Sequence, residues 1–235
     1  MVKVVYNDNL NKNLEELGKR RELKLQTLQD VGALIFKTRG ELKQFLKDNP
    51  QFKEYLGWLH QDMNKGKYTF NMLGKNIMPS YLSDGTVYFY ILYFPNKEMK
   101  YRNVYLGETV DDVEGKKTKM YGLDLLDYTQ DKVYVVEGVF DRVRMVEEGY
   151  NTVSILGTSI TPYQLKVLKR FKEVNLCFDS DKAGGIGMES AKKLLIKEGY
   201  TGRIRGRTPN FGSGDSTVKD VDDLFRKGYT EIKFE

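Results

Sequence analysis

A short apolar segment that runs straight into two aspartates constrains this chain more than any other part of its sequence. Residues 174–178 read Val-Asn-Leu-Cys-Phe, and Asp179 and Asp181 follow at once, before a glycine-rich stretch. A short apolar run bounded by turn residues is typical of a buried central strand of a parallel sheet. In open α/β sheets the ligand site lies just past the carboxyl ends of the strands. We therefore expect the two acids at a functional edge, on the same side of a strand that continues through them.

This pair of carboxylates predicts a cation site. Two carboxylates so close in the chain repel each other unless a cation lies between them. Hard oxygen ligands favour Mg²⁺ or Mn²⁺. The segment also imitates the start of a calcium loop, but Ser190 stands at the twelfth position, where such a loop requires a bidentate Glu. A calcium loop is therefore excluded.

Strands and helices alternate along residues 131–235. Besides the acidic strand, the pattern predicts strands at 133–136, 153–156 and 203–207, and helices at 140–148, 162–170 and about 188–198. This rhythm predicts an α/β fold, a sheet of mainly parallel strands flanked by helices with right-handed crossovers. Three strand ends then meet at one edge, carrying Glu137-Gly138, Gly157-Thr158 and Asp179-Ser-Asp181.

Two further regions precede this domain. Residues 1–64 read as mainly helical, with a helix pair broken at Asn49-Pro50. Residues 65–130 read as a basic α+β subdomain, with a turn at residues 83–85 and a strand-like run at residues 87–94. Its cations are interleaved with tyrosines, a mixture that can hold phosphates and stack bases, although a solvated basic loop stays equally open. These residues are Lys97, Lys100, Arg102, Lys116, Lys117 and Lys119, with Tyr101, Tyr105 and Tyr121.

Composition excludes several classes of protein. A single cysteine, Cys177, and a single histidine, His60, exclude a self-contained zinc ribbon and a disulfide framework. Cys177 falls inside the predicted core strand, so we expect a buried structural thiol. No segment approaches the ~20 apolar residues of a membrane helix, and we expect a cytoplasmic protein. The formal charge of +5 weakly favours a polyanionic partner.

The predicted edge favours phosphoryl-transfer chemistry. A general acid or base such as Glu137, beside two metal-binding carboxylates, recurs in enzymes that transfer phosphoryl groups. Taken alone, the acids of Asp220-Val-Asp222-Asp223 are better explained as helix caps or surface charges. The glycines of residues 184–187 lack the lysine and hydroxyl residue of a P-loop, so they are a weak nucleotide signal.

Three segments carry a family resemblance. They are Val135-Val-Glu137-Gly-Val-Phe-Asp141, Leu156-Gly-Thr158 and Leu176-Cys-Phe-Asp179-Ser-Asp181-Lys-Ala-Gly184. In this order and at these spacings they look like the Toprim domain shared by topoisomerases and primases, most of all that of bacterial DnaG-type primases. Upstream, Lys100-Tyr-Arg-Asn103 and residues 116–122 resemble the basic segment of those primases. Downstream, Lys219-Asp-Val-Asp222 takes the place of their Lys-Asp-Pro-Asp, with Val221 replacing proline.

The resemblance implies an RNA polymerase core that makes primers on single-stranded DNA from ribonucleoside triphosphates. It implies that Glu137, Asp179 and Asp181 are catalytic and that these three and Asp220 bind two or more Mg²⁺ or Mn²⁺ ions. Asp141 and Asp222 are implied to support the site. The implied nucleic-acid and nucleotide ligands are Lys100, Tyr101, Arg102, Asn103, Lys116, Lys119 and Lys182.

Departures from the family pattern and competing functions remain. The chain has no cysteine cluster, so we expect no zinc, and the zinc module of those primases is either missing or supplied by a separate template-recognition protein. A replicative helicase is another expected partner, at a replication site or nucleoid, for a host-, virus- or phage-encoded protein. A Toprim nuclease that cleaves RNA or DNA stays open, as does a non-catalytic Toprim DNA-binding factor in replication or recombination. Clustered repelling acids argue against the last, because a scaffold has no physical need for them.

Overall fold

The computed structural model describes residues 4–53, 56, 73–81, 87–94, 101–105 and 120–235. The chain forms two compact units, residues 1–110 and residues 111–235, and each is described by itself. The finer division into regions 1–64, 65–130 and 131–235 stays a prediction.

Helices dominate the start of the first unit. They are α1 (Asp8–Arg21), α2 (Leu25–Asp30) and α3 (Arg39–Asp48), followed by a 3₁₀ turn at Pro50–Phe52. The side chains of Asn7 and Thr38 begin α1 and α3 because each accepts a backbone N–H of the first turn. The helical prediction and the break after Asp48 are confirmed. The second helix of the expected pair falls mostly on residues outside the described ranges.

An antiparallel sheet completes the first unit. Its strands, in spatial order, are β1 (Asn76–Tyr81), β2 (Val87–Tyr93) and β3 (Tyr101–Tyr105). Buried aromatic and aliphatic side chains of the helical part, such as Phe36 and Phe45, pack in one core with Ile77 and Leu92 of the sheet. The expected turn at residues 83–85 lies outside the described residues.

The second unit is the predicted α/β domain. In chain order its elements are β4 (Lys132–Val136), α4 (Val139–Glu147), β5 (Thr152–Ser154), α5 (Pro162–Leu168), β6 (Glu173–Leu176), α6 (Lys182–Lys197), β7 (Arg203–Gly206) and α7 (Val221–Arg226). The sheet order is β5-β4-β6-β7, and all neighbouring strands are parallel. This confirms a parallel sheet flanked by helices. Cys177 is 2% exposed and lies in a core with Val136 and Leu224, as expected for a structural thiol.

The acidic segment differs from its prediction in one respect. β6 ends at Leu176, so the strand does not continue through Asp179 and Asp181. Instead, Asp181 is the N-cap of α6, and its Oδ1 accepts the N–H of Gly184 at 2.7 Å. Helix α6 therefore begins at Lys182, six residues before the expected start near Met188, because an aspartate cap satisfies a free N–H of its first turn.

Among the described residues, no helix has the length and apolar character needed to cross a membrane.

Two glycines of α6 offer a matched test of how this helix packs. A Cβ on Gly187 would lie 2.3 Å from the carbonyl oxygen of Thr158, whereas a Cβ on Gly185 would meet nothing within 4 Å. Gly187→Ala should therefore lower the free energy of unfolding by about 1–3 kcal/mol through overpacking. Gly185→Ala should raise it by up to ~1 kcal/mol, because alanine favours helix. Urea denaturation measures both, and equal effects of the two substitutions would contradict the packing described here.

Candidate active site

Glu137 and Asp179 are in direct contact at the carboxyl edge of the sheet. Glu137 follows β4, Asp179 lies just beyond β6, and these two strands are neighbours in register. The backbone N–H of Asp179 donates to Glu137 Oε1 at 3.0 Å. On the other side, the hydroxyl of Ser154 donates to the Glu137 carbonyl oxygen at 2.8 Å. The ends of three adjacent strands thus fix the position of Glu137.

Electrostatics identify the acids that share this edge. Burial, first, and then the charges of Glu137, Asp220 and Asp181 together raise the pKa of Asp179 to about 7, while Arg207 opposes them. Burial also raises the pKa of Glu137; Asp181 adds to this, whereas the Asp179 N–H and Arg207 act against it. Carboxylates that hinder one another's ionisation are close in space. Glu137, Asp181 and Asp220 therefore lie near Asp179, and the catalytic and metal-binding roles of these four acids stay predictions.

Asp220 is held near the other acids by a backbone hydrogen bond of the preceding residue, Lys219. The N–H of Ser180 donates to the carbonyl oxygen of Lys219 at 2.6 Å, which holds the start of α7 against the acidic loop. Asp220 is the N-cap of α7, and its Oδ1 accepts the N–H of Asp223 at 2.7 Å. One oxygen of the Asp220 carboxylate thus caps a helix.

Asp141 lies half-buried near the group, in the first turn of α4. Burial raises its pKa well above the ordinary value, and the charges of Asp220, Asp179 and Asp222 act in the same direction. A Cβ on Gly138 would lie 2.2 Å from Asp141 Oδ2. Glycine at position 138 therefore makes room for this carboxylate.

Asp222 has a different environment. Its Oδ1 forms a buried ion pair with Arg144 Nε at 3.0 Å, and Arg144 Nη1 also reaches Glu147 Oε1 at 3.1 Å. The backbone N–H of Asp222 donates to Asp141 Oδ1 at 3.3 Å. Asp222 thus ties α7 to α4.

The donor chemistry of the edge fits a hard divalent cation. Glu137, Asp179, Asp181 and Asp220 offer only carboxylate oxygens, the ligands that Mg²⁺ and Mn²⁺ prefer. A cation between them would also relieve the repulsion that raises the pKa of Asp179. Within the described ranges, no three or more His, Cys, Asp or Glu side chains already form a ligand set. The acids have the right chemistry, and binding requires some of these side chains to turn.

The predicted nucleic-acid ligands are only partly described. Tyr101 and Asn103 both belong to β3. The exposed fraction of the Tyr101 side chain is 39%. Its ring lies 5.1 Å from that of Tyr93, its cross-strand neighbour. Lys182 is exposed at the first turn of α6. Lys100, Lys116, Lys119 and the side chain of Arg102 lie outside the described residues.

Sequence reasoning missed one buried residue at this edge. Arg207 follows β7, is 5% exposed, and donates from its guanidinium to the carbonyl oxygens of Phe178 and Asp179. A signal existed in the alternation of Arg203, Arg205 and Arg207 along one face of β7. The first two arginines lie within 4 Å of Glu173 near the start of β6, and Arg207 continues this alternation toward the carboxyl end of that strand.

Comparisons with known proteins agree with this architecture. The family described as Toprim-like matches residues 134–225. The chain is 28% identical over 151 residues to an uncharacterized protein of Mycoplasma genitalium, and 29% identical over 155 residues to the DNA primase of Helicobacter pylori. The crystal structure of the zinc-binding and RNA polymerase domains of Aquifex aeolicus primase superposes with a TM-score of 0.67 at 24% identity, covering 92% of this chain and 53% of that one.

These matches cover only part of each relative. Each sequence match covers 63% of this chain, which corresponds to 64% of the Mycoplasma protein and 27% of the Helicobacter primase. The likeness therefore concerns one portion of a primase.

The raised pKa of Asp179 predicts that the Asp179→Asn substitution stabilises the fold in a pH-dependent way. Between its ordinary pKa of 3.8 and about 7, the folded protein binds a proton that the unfolded chain releases, so this group's contribution to stability falls as pH rises. Asparagine carries no charge. In EDTA the free energy of unfolding of the variant should exceed that of wild type by on the order of 2 kcal/mol above pH 7 and by little near pH 4.

Urea denaturation from pH 4 to 8 measures this difference. Asp215→Asn is the matched control, because the Thr217 hydroxyl and Lys227 lower the pKa of Asp215 to about 2. That variant should be less stable than wild type at every pH from 4 to 8, because a lowered pKa adds stability that is lost only as pH falls from 3.8 toward about 2. Its effect therefore has the opposite sign and no trend over the measured range. A gain for Asp179→Asn that is the same at every pH would contradict the described crowding.

The buried ion pair of Asp222 gives a second prediction. Asp222→Asn leaves Arg144 with a weakened partner, and removing one side of a buried pair is strongly destabilising. We expect a loss of roughly 2–4 kcal/mol in the free energy of unfolding, equal with and without EDTA. Asp223→Asn, one residue along the same helix, should cost less than about 1 kcal/mol. A loss that appears only in the presence of Mg²⁺ would show that Asp222 acts as a metal ligand instead.

Proposed function

Because this chain is a Toprim-domain protein that resembles the RNA polymerase core of bacterial DnaG-type primases, we propose that it is a primase-type RNA polymerase core. It synthesises short RNA primers on single-stranded DNA by two-metal nucleotidyl transfer. The observation that carries the proposal is the contact between Glu137 and the backbone of Asp179, with Asp181 and Asp220 close enough to affect the ionisation of Asp179.

The acids divide the work of nucleotidyl transfer. Asp179, Asp181 and Asp220, together with Glu137, would hold the divalent ions. When bound, those ions neutralise charge on the triphosphate and align the attacking and leaving oxygens. Glu137 accepts the proton of the attacking 3′-hydroxyl. Burial raises its pKa, which brings it closer to neutral pH and makes it a better general base.

The chain's own cations would bind the polyanionic substrates. Lys182 is exposed one residue after Asp181, where an ammonium group would contact the triphosphate of an incoming ribonucleotide. The template strand would follow the tyrosine-rich basic segment, where Tyr101 is exposed for stacking. The proposed ligands there are Lys100, Tyr101, Arg102, Asn103, Lys116 and Lys119.

The proposal includes partners and a location. A separate protein would recognise the template, and a replicative helicase would bring the core to single-stranded DNA. We place this activity in the cytoplasm, at a replication site of the cell or of an infecting virus or phage.

Glu137→Gln tests the proposed chemistry. Glutamine keeps the size of the side chain but cannot accept a proton, so primer synthesis on single-stranded DNA with ribonucleotides and Mg²⁺ or Mn²⁺ should fall by ~10²-fold or more. Template binding should hardly change, because the loss falls on the transition state. The matched control is Glu189→Gln, an exposed acid of α6 whose carboxylate reaches Lys192 at 2.9 Å; it should keep full synthesis.

The same assay separates a polymerase from a nuclease. Labelled DNA and RNA should stay intact under the metal conditions that support synthesis. A wild-type protein that degrades these strands and makes no primers, with Glu137→Gln stopping the degradation, would replace the primase proposal with the nuclease.

A further inference from the structure

The acidic loop of residues 178–180 is held from several sides by its own backbone. The N–H of Asp179 donates to Glu137, and that of Ser180 donates to Lys219. A Cβ on Gly184 would lie 2.2 Å from the carbonyl oxygen of Asp179, so the first turn of α6 packs directly on the loop. These contacts fix the N–H groups of Asp179 and Ser180 and the side of the loop that faces α6. The carbonyl groups of the loop need hydrogen-bond donors as well.

Arg207 supplies those donors. The last register pair of β6 and β7 is Leu176 with Gly206, and the N–H of Arg207 donates to the Leu176 carbonyl oxygen at 3.0 Å. Beyond the end of the strand pairing, the Arg207 side chain makes the hydrogen bonds. Its Nε donates to the Phe178 carbonyl oxygen, and its Nη2 donates to the Asp179 carbonyl oxygen. The planar guanidinium fork thus binds two successive peptide groups, a geometry that a lysine ammonium does not match.

The guanidinium is itself held in place. Arg207 is 5% exposed, its Nη1 donates to the Thr208 carbonyl oxygen at 3.3 Å, and its Cζ lies 5.2 Å from the ring centroid of Phe211. Its positive charge also opposes the crowding of the acids, favouring the ionised forms of Asp179 and Glu137. An arginine used only for packing would not need a buried fork aimed at the loop that carries the acids.

We propose that Arg207 is a positioning residue, whose guanidinium fork fixes the peptide groups of Phe178 and Asp179 so that the Asp179 carboxylate is presented to a divalent cation. This inference deepens the proposed function and rests on its metal site. Residues that orient the ligands of a metal typically affect its affinity by 10- to 100-fold.

Binding of Mn²⁺ alone, followed by the electron paramagnetic resonance of the free ion, tests this without any catalysis. Arg207→Lys keeps the charge and loses the fork, whereas Arg207→Met loses both. Each should bind Mn²⁺ about 10-fold more weakly than wild type. Arg205→Met is the matched control, because Arg205 lies on the same face of β7 and its Nε is 3.7 Å from Glu173 Oε1. It should bind Mn²⁺ with wild-type affinity.

The two outcomes are distinct. Arg207→Lys binding Mn²⁺ within twofold of wild type would show that the charge suffices and would overturn the proposal, as would an equal loss in Arg205→Met. Circular dichroism checks that each variant is folded. If Arg207→Met does not fold, the Mn²⁺ affinity of Arg207→Lys is compared with that of Arg205→Lys, and an equal affinity overturns the proposal.

Two further measurements separate this inference from the proposed function. Wild-type protein that binds Mn²⁺ no better than Asp179→Asn would overturn the role of Arg207, since no ion site would exist for it to position. Wild-type protein that binds Mn²⁺ in an Arg207-dependent way and yet makes no primers would overturn the primase function and leave the positioning role standing.

Discussion

Repulsion among carboxylates is the constraint on which the second unit depends. Burial and three neighbouring acids raise the pKa of Asp179 to about 7, so the fold keeps these groups together at a cost in stability. The surrounding backbone compensates in part, because Glu137, Asp181 and Asp220 each accept an N–H. A hard divalent cation between the carboxylates would relieve this repulsion.

The order of the strands produces this crowding. β4 and β6 are adjacent at the centre of the sheet, so the residues that follow them, Glu137 and Asp179, meet without any long connection. Asp220 comes from the start of α7, far along the chain, and arrives through the contact between Ser180 and Lys219. Rigid strand ends thus place two acids, and one backbone hydrogen bond places the third.

Local patterns were enough to predict the architecture of this unit. The apolar runs of β4 and β6 and their alternation with helices gave the parallel sheet, because a buried strand needs a short apolar run and little else. The predicted start of α6 was wrong because glycines 184–187 weaken the helix signal, whereas the Asp181 cap determines where the helix begins. Arg207 was missed because its role depends on the pairing of β6 with β7, which brings residues 28 and 29 positions apart into contact.

The contrast between Asp220 and Asp222 shows what a motif leaves open. Both belong to Lys219-Asp-Val-Asp222, in which the family resemblance implies a metal ligand at Asp220 and a supporting acid at Asp222. At the start of α7, however, Asp220 is the cap outside the helix, whereas Asp222 lies within the first turn, where its carboxylate pairs with Arg144. Two positions along a helix turn a side chain by roughly 200° about its axis. The two acids of one motif therefore have different surroundings, and the packing of α7 on α4 separates them.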